Sequence, residues 1–368
     1  MAQMCCGYDR ARNGCCRARP ARRTRPAGGL AYHRGTMTGA SGRSATIDEL
    51  AARLLSDAAD VDAAGALPAE HLRGLARAGL FGIFAPVAEG GLGLSRPETW
   101  PVVEELASAC LATAFVWIQH FGLLEALLDP ATPAGLRAEL LPGTVRGEVR
   151  GGLALAGLLP GPPRLTATPV PGGWRLDGQA PWVTGWGAAT LLLVAARGPQ
   201  DSVVRLLVEA RDQPGLAAAR QRLAAANASA TVRLTVDGLV VPEDRCVGRR
   251  PFDPVRQQSE GLRSNGSLAL GVARRCCALV GPSALDDELS RCRAELDAAG
   301  TGTMPAARAR ASAFAARAAQ TLTVTRGSAS ALAGDPADRL SREAAFLLVF
   351  GSRPAIKEAL LARLGTLG

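Results

Sequence analysis

The residues best suited to chemistry are an indole and a hydroxyl, Trp182 and Thr184, in a glycine-rich stretch between two extended runs. The runs cover residues 174–176 and 190–195, and strand-like alternation predicts that Trp182, Thr184 and Trp186 share one face. At the end of a strand, an indole can stack on a flat heteroaromatic ligand while a hydroxyl hydrogen-bonds a ring atom. Taken alone, the segment favours the structural alternative, because Trp and Thr are ordinary strand residues.

Histidine and cysteine offer little further chemistry. Of the three histidines, His33, His71 and His120, the last falls on a predicted helix over residues 113–128, and we interpret it as a packed helix residue. Four of the nine cysteines form two adjacent pairs before residue 17, without the spacing that lets two thiolates reach one zinc ion. We therefore expect no metal site. The other five are predicted to be buried free thiols: Cys110, Cys246, Cys276, Cys277 and Cys292.

Composition excludes several classes of function. The net charge is +9, but residues 1–45 contain nine Arg and one Asp, so the remaining chain is nearly neutral and no nucleic-acid partner is indicated. No uninterrupted apolar run reaches the length of about 18 residues that spans a bilayer, so we expect no membrane span. No secretory apolar segment follows the Arg-rich start, which favours a cytoplasmic protein.

The pattern of hydrophobic residues changes twice along the 368 residues, which predicts an α+β protein of several domains. We expect residues 1–44 to be a disordered Arg- and Cys-rich tail and residues 45–149 to be a helical domain. Short alternating runs separated by turn residues predict a central antiparallel β domain over residues 150–258. Long helical periods with short joins predict a shortened antiparallel helical bundle over residues 259–368.

Four segments together resemble the acyl-CoA dehydrogenase superfamily of flavoproteins. They are the helix and glycine loop of residues 75–93, the Gly-Trp-Arg-Leu-Asp-Gly and Trp-Val-Thr motifs of residues 173–184, the strand and exit of residues 232–248, and the helix of residues 339–350. Each segment is weakly specific, but their order and spacing are strongly specific. The resemblance covers roughly residues 45–364.

The resemblance implies FAD bound between the β domain and the helical bundle, and this reverses the structural interpretation of Trp182. The family residues matching Trp182 and Thr184 touch the flavin ring, and the first β segment passes beside it at Leu155 and Ala156. An acyl-CoA thioester lies on the opposite face of the ring in the family. A Glu there removes the α-proton while hydride leaves to the flavin.

The chain departs from the family at three places. The loop over residues 156–164 lacks the Ser that meets the cofactor phosphate, although Arg164 could supply charge. The connection at residues 281–283 replaces a longer loop that reaches the FAD of a neighbouring subunit. Gly351 stands where common dehydrogenases have the catalytic Glu. Glu260 is the carboxylate nearest the other position at which relatives carry a base, and its alternative is an exposed residue in the first turn of a helix.

These features predict a divergent FAD-dependent oxidoreductase that acts on the CH–CH group of an acyl thioester or a related substrate. One alternative is a catalytically silent subunit that binds flavin or an acyl group, in a homo- or hetero-oligomer. The other is a flavin-dependent oxygenase on the same fold. Relatives of that kind tend to use a His in the carboxyl-terminal domain, and none of the three histidines falls there.

The tail before Met37 should be dispensable, because its composition buries too little apolar surface to offset the entropy of ordering. We expect a protein that starts at Met37 to have the same Tm as the full chain, measured by thermal unfolding of both. A Tm several degrees lower for the shortened protein would contradict this prediction.

Overall fold

The computed structural model describes residues 40–158, 161–254, 256 and 261–365. Within these residues, helices α1 to α5 precede a sheet and helices α6 to α10 follow it. The helices are α1 (Ala40–Ala64), α2 (Ala69–Arg77), α3 (Arg96–Ala109), α4 (Leu111–Leu128), α5 (Ala134–Arg146), α6 (Leu262–Val280), α7 (Ala284–Ala298), α8 (Met304–Arg326), α9 (Pro336–Val349) and α10 (Pro354–Arg363). Helix α1 thus includes the last five residues of the expected tail, residues 40–44.

The central sheet has eight strands in the order β6-β7-β3-β2-β4-β5-β8, with β1 also paired to β4. The strands are β1 (Gly151–Ala154), β2 (Leu165–Val170), β3 (Gly173–Val183), β4 (Leu191–Gly198), β5 (Ser202–Glu209), β6 (Leu216–Arg220), β7 (Val232–Pro242) and β8 (Cys246–Pro251). Neighbours are antiparallel except that β1 and β2 run parallel to β4. The predicted α+β fold, with helices on either side of a largely antiparallel sheet in the chain, is confirmed.

Two strands have no counterpart in the sequence-based prediction. Strand β6 is rich in Ala, a weak strand former, but it pairs with β7 over its whole length. Strand β8 lies in the segment that we expected only to lead out of the β domain, and it pairs with β5, for example Val203 with Arg250. Both strands exist because a partner strand supplies their hydrogen bonds, which local sequence does not reveal.

Helix α4 is the most apolar helix of the described part of the chain. Its 18 residues have a mean hydropathy of 1.5, and by length and composition the helix could cross a membrane. The search for uninterrupted apolar runs in the sequence missed it, because a few polar residues interrupt the helix. Most of the helix is buried in the fold, as a core helix of this composition must be. Gly122 lies against Leu153 of β1, and Val116 lies against Gly185, just after β3. Helix α4 therefore joins the helices to the sheet.

The helices before and after the sheet share one hydrophobic core. Phe115 of α4 packs edge-on against Phe346 and Phe350, with ring centroids 5.5 and 4.6 Å apart. Helices α3 and α6 approach closely at Gly271, where an added Cβ would lie 2.6 Å from the Cβ of Ala107. The five cysteines expected to be buried free thiols are buried and free.

His120 is buried between α4 and the start of the sheet, as a packed helix residue. Its Nδ1 accepts the Gly151 N–H at 3.0 Å, so Nε2 carries the proton and donates to the Phe81 carbonyl at 3.1 Å. Burial lowers the pKa of His120 from 6.5 to about 4. The imidazole is therefore neutral at physiological pH and joins three segments of the chain.

Acid should destabilise the fold through His120. Because its folded pKa lies below the unfolded value, the unfolded chain binds the proton first, and stability falls as the pH drops from about 6.5 to about 4. The loss attributable to this group approaches roughly 3 kcal/mol at the low end. We expect urea unfolding to show a steeper loss for the wild type than for His120→Gln across this window. Parallel pH profiles for the two proteins would contradict the assignment.

Candidate functional site

The predicted ring-binding segment lies at the end of β3 and is held by a second loop, residues 221–231. The Trp182 N–H donates to Gln221 Oε1 at 3.2 Å. The Gly185 N–H donates to the Ser229 carbonyl at 2.8 Å, which places the two loops side by side. The segment expected to bind a ring is thus positioned from a part of the chain about 40 residues away.

Trp182 combines an exposed indole with an unusual backbone. Its φ is +64°, and the side chain is 64% exposed, whereas Val183 next to it is buried. The register of β3 against β7 shifts between Ala180 and Val183, which marks a bulge. Alternation therefore does not continue through the segment, and the expectation that Trp182 and Thr184 share one strand face is wrong. The bulge turns the indole outward while Thr184 stays buried.

Strained backbone is concentrated at this place. Ala226 and Ala230 of the facing loop also have positive φ, +52° and +50°. Each residue of this kind costs on the order of 1–3 kcal/mol unless its surroundings enforce it, and such residues cluster at functional sites. Three of the five non-glycine residues with positive φ in the described part of the chain lie in these two loops. This concentration supports a functional role for the loops.

Thr184 is one end of a chain of three buried hydroxyl groups. Its Oγ1 is 3.0 Å from Thr231 Oγ1, which is 2.9 Å from Ser229 Oγ. All three side chains are buried. Sequence reasoning missed Ser229 and Thr231. The available signal was a pair of hydroxyl residues two positions apart just before β7, which is common in strands and loops.

Leu155 and Ala156, which the family resemblance placed beside the ring, directly follow β1. Leu155 follows β1 and is 39% exposed, and Ala156 is buried in a 3₁₀ turn. The turn sits close to β4, because an added Cβ at Gly157 would lie 2.5 Å from the Ala196 Cα. At the other end of the strand, an added Cβ at Gly152 would lie 3.6 Å from the Thr184 carbonyl oxygen. Strand β1 therefore runs beside the Trp182 segment.

Gly351 follows α9 at the position where the family resemblance placed a catalytic Glu. Its φ is +60°, and an added Cβ would lie 2.8 Å from Nδ2 of Asn265 on α6. An L-residue at this position would be strained and would press on the Asn265 amide. The backbone here is therefore built for glycine, and no carboxylate projects from the position.

A buried arginine holds the end of α9 beside Gly351. Arg308 Nη2 donates to the Leu347 carbonyl at 3.1 Å and to the Phe350 carbonyl at 3.4 Å. Ser312 Oγ also donates to the Leu347 carbonyl, at 2.9 Å. Burial lowers the pKa of Arg308 to about 10, so the guanidinium remains charged at neutral pH. A positive charge at the carboxyl end of a helix complements its dipole.

Other ionisable groups of the described residues do not complete a catalytic set here. Glu260, the predicted alternative base, lies outside the described residues. Burial raises the pKa of Glu104 and Glu343, and each is hydrogen-bonded to an arginine, Arg293 and Arg339 respectively, at 2.9 Å. These pairs lie within and between helices. No cluster of three or more potential metal ligands occurs in this part of the chain.

The residues present fit the ring half of a flavin cofactor. Trp182 and Leu155 are exposed apolar side chains that a flat ring could cover, and Thr184 carries a hydroxyl that could hydrogen-bond a polar ring atom. Support for the phosphate half is thinner, since the described part of the loop offers the exposed Arg164 and backbone N–H groups. A separate cleft of about 650 Å³, lined by Trp174, Glu243 and Arg249 among others, includes none of the candidate site residues.

Comparison with known proteins agrees with this architecture. Residues 43–148 match the model of the acyl-CoA dehydrogenase N-terminal domain. Benzylmalonyl-CoA dehydrogenase of Aromatoleum aromaticum is 28% identical over 60% of this chain and 61% of its own length. An amino sugar nitrososynthase of Streptomyces rubradiris is 30% identical over 64% of this chain and 56% of its own length. The chain therefore spans about three-fifths of the length of these relatives.

Solved structures extend the similarity across the fold. Butyryl-CoA dehydrogenase of Megasphaera elsdenii aligns with a TM-score of 0.73 at 16% identity, covering 91% of this chain and 100% of that one. A nitrososynthase of Micromonospora carbonacea aligns with a TM-score of 0.72 at 22% identity, covering 90% and 97%. These alignments show the shared fold. Together with the matching amino-terminal domain and the curated relatives, they show that the chain is similar to the acyl-CoA dehydrogenase superfamily.

Proposed function

We propose that the chain is an FAD-dependent oxidoreductase of the acyl-CoA dehydrogenase type, acting on an acyl thioester or a related substrate. The observation that carries the proposal is the exposed indole of Trp182, presented on a strained backbone beside the buried hydroxyl of Thr184. A protein that only needed a Trp in its sheet would bury the ring and keep the regular strand. Flavoproteins are the general rule among the relatives of this chain.

Each candidate residue has a separate role in binding the ring. Trp182 supplies a flat surface for stacking, and Thr184 supplies a hydrogen bond to a polar ring atom. Leu155 and Ala156 line the adjacent face and exclude water from it. Bound FAD would accept one hydride, which carries both electrons released by oxidation of the substrate, while the α-proton goes to a base. The side chains themselves bind and orient the ring.

Gly351 separates this chain from common dehydrogenases. With no carboxylate at that position, the α-proton of an acyl thioester needs another acceptor, and Glu260 is the candidate for that role, its alternative being an exposed residue in the first turn of a helix. The α6–α7 connection consists of Gly281, Pro282 and Ser283, where Ser283 forms a capping box with Asp286. The predicted loss of the longer loop is therefore consistent with the structure, and any oligomer must use other contacts to reach its flavin.

A flavin-dependent oxygenase is the second candidate function. The observation in its favour is the glycine at position 351 together with similarity to the nitrososynthase of Streptomyces rubradiris, because N-oxygenation by its nature needs no α-proton base. A catalytically silent flavin- or acyl-binding subunit is the third reading. Reduction of bound FAD by acyl-CoA would favour the dehydrogenase. Oxygen consumption with externally reduced flavin would favour the oxygenase, and neither activity would favour the silent subunit.

Trp182→Ala should weaken flavin binding. The lost stacking and burial are worth roughly 1–3 kcal/mol, or on the order of tenfold or more in Kd. We expect this loss in a titration of purified protein with FAD, followed near 450 nm. Val324→Ala is a matched control, because Val324 is also an exposed apolar residue but lies on α8. Equal FAD affinity in a folded Trp182→Ala protein would show that the ring binds elsewhere.

Reduction of bound FAD by simple saturated acyl-CoAs should be slow for every chain length. A missing general base at position 351 costs a factor of about 10²–10⁴. If Glu260 has taken over the role, reduction will be measurable and Glu260→Gln will abolish it in stopped-flow absorbance experiments. Fast reduction that survives Glu260→Gln would contradict both assignments and point to a different base.

A further inference from the structure

Thr184, Thr231 and Ser229 form a chain of three hydroxyl groups that is joined by only two hydrogen bonds. Thr184 Oγ1 and Thr231 Oγ1 are 3.0 Å apart, and Thr231 Oγ1 and Ser229 Oγ are 2.9 Å apart. Each hydroxyl carries one proton and accepts through its lone pairs. Two protons serve the two contacts, so one proton is left over.

All three hydroxyl groups are buried, with Thr184 3% exposed, so the position of the leftover proton follows from which hydroxyl a ligand could reach. Ser229 and Thr231 are 0% and 2% exposed, and the described residues offer neither hydroxyl any acceptor beyond the other members of the chain. A buried donor without an acceptor is unfavourable. The arrangement without such a donor has Ser229 donating to Thr231 and Thr231 donating to Thr184. Thr184, two residues after the exposed Trp182, is the member of the chain closest in sequence to a ring bound at Trp182, so its proton is the one left for a ligand.

We infer that Thr231, supported by Ser229, is a positioning residue that makes Thr184 a hydrogen-bond donor, and not an acceptor, toward the bound flavin ring. The inference rests on the proposed function, because it needs a ring beside Thr184. It concerns residues that the family resemblance did not point to. Thr231 contacts Thr184 across 47 positions of sequence and reaches it only through the fold.

The backbone of the 221–231 loop is consistent with this role. Ala230, between the two hydroxyl residues, has a φ of +50°, and its carbonyl accepts the Trp186 N–H at 3.3 Å. The Ser229 carbonyl accepts the Gly185 N–H at 2.8 Å. Strain at Ala230 is thus maintained by contacts that bring Ser229 and Thr231 against the Thr184 segment. The loop delivers hydroxyl groups to the back of the candidate site.

A donor-only hydroxyl discriminates between the two redox forms of the ring. The oxidised isoalloxazine ring has unprotonated nitrogens at the reactive edge beside carbonyl oxygens, and these are acceptors. Two-electron reduction adds N–H donors, and an N–H facing Thr184 would need the hydroxyl to accept. Thr184 can accept only if both hydrogen bonds of the hydroxyl chain reverse direction, and the buried Ser229 hydroxyl would then have no acceptor for its proton. The arrangement therefore favours the oxidised ring.

The test uses the full-length double variant Ser229→Ala/Thr231→Val. Thr231→Val alone would leave the buried Ser229 hydroxyl without an acceptor. Replacing both hydroxyls by apolar groups of similar shape avoids this cost. Wild-type and variant proteins are titrated with FAD, and the midpoint potential of the bound flavin is measured. Freed from Thr231, Thr184 can accept as well as donate. We expect the affinity for reduced relative to oxidised flavin to rise roughly three- to tenfold, equivalent to a potential about 15–30 mV more positive.

Thr231→Ser is the matched control, because it keeps the hydroxyl and should keep the wild-type potential. A folded double variant that binds FAD at the wild-type potential would overturn the inference alone. Failure of the wild type itself to bind FAD would overturn the proposed function and the inference with it. A potential shift that Thr231→Ser reproduces in full would show that packing, and not the hydroxyl, is responsible.

Discussion

The need to bury helix α4 governs the arrangement of this protein. A helix that is apolar around its whole circumference must be covered on every side, and here α4 is covered by other helices and by the edge of the sheet. Its Val116 meets Gly185 beside the candidate ring-binding residues. Its Phe115 meets Phe350 beside Gly351. One buried helix thus fixes the position of the candidate ring-binding residues relative to Gly351, where the resemblance expects a catalytic Glu.

The candidate site has a strained backbone where its ligand would lie and hydrogen-bonded hydroxyl groups behind that surface. Trp182 is exposed and has a left-handed backbone, whereas Thr184, Thr231 and Ser229 form a buried hydroxyl chain. Exposed apolar surface and strained backbone both cost free energy in the isolated protein. A bound ring would cover the indole of Trp182 and accept a hydrogen bond from the Thr184 hydroxyl. The physical logic is that of a pre-organised binding surface, in which folding bears the ordering cost before the ligand arrives.

The chain keeps the residues that the resemblance suggests for ring binding but not the Glu that it suggests for catalysis. The residues that the family resemblance suggested for ring binding are retained, whereas the backbone after α9 has a glycine conformation close to Asn265. Arg308 holds the preceding carbonyls in place, so the departure is part of an ordered structure. A fold can retain a cofactor surface while the chemistry beside it changes, since the two depend on different residues. Similarity both to dehydrogenases and to nitrososynthases is consistent with that separation.

Local patterns in the sequence determined most element types and the order of helices and sheet, and the resemblance of four motifs indicated the superfamily. They did so because periodicity and turn residues act over a few positions. Only the tertiary structure decided that Trp182 leaves the strand at a bulge, since the register against β7 is set by pairing and not by alternation. Only the fold brought Thr231 to Thr184 and Asn265 to Gly351, because these pairs are distant in sequence and meet through packing. Strand β6 likewise exists through its pairing with β7, which no short stretch of Ala could indicate.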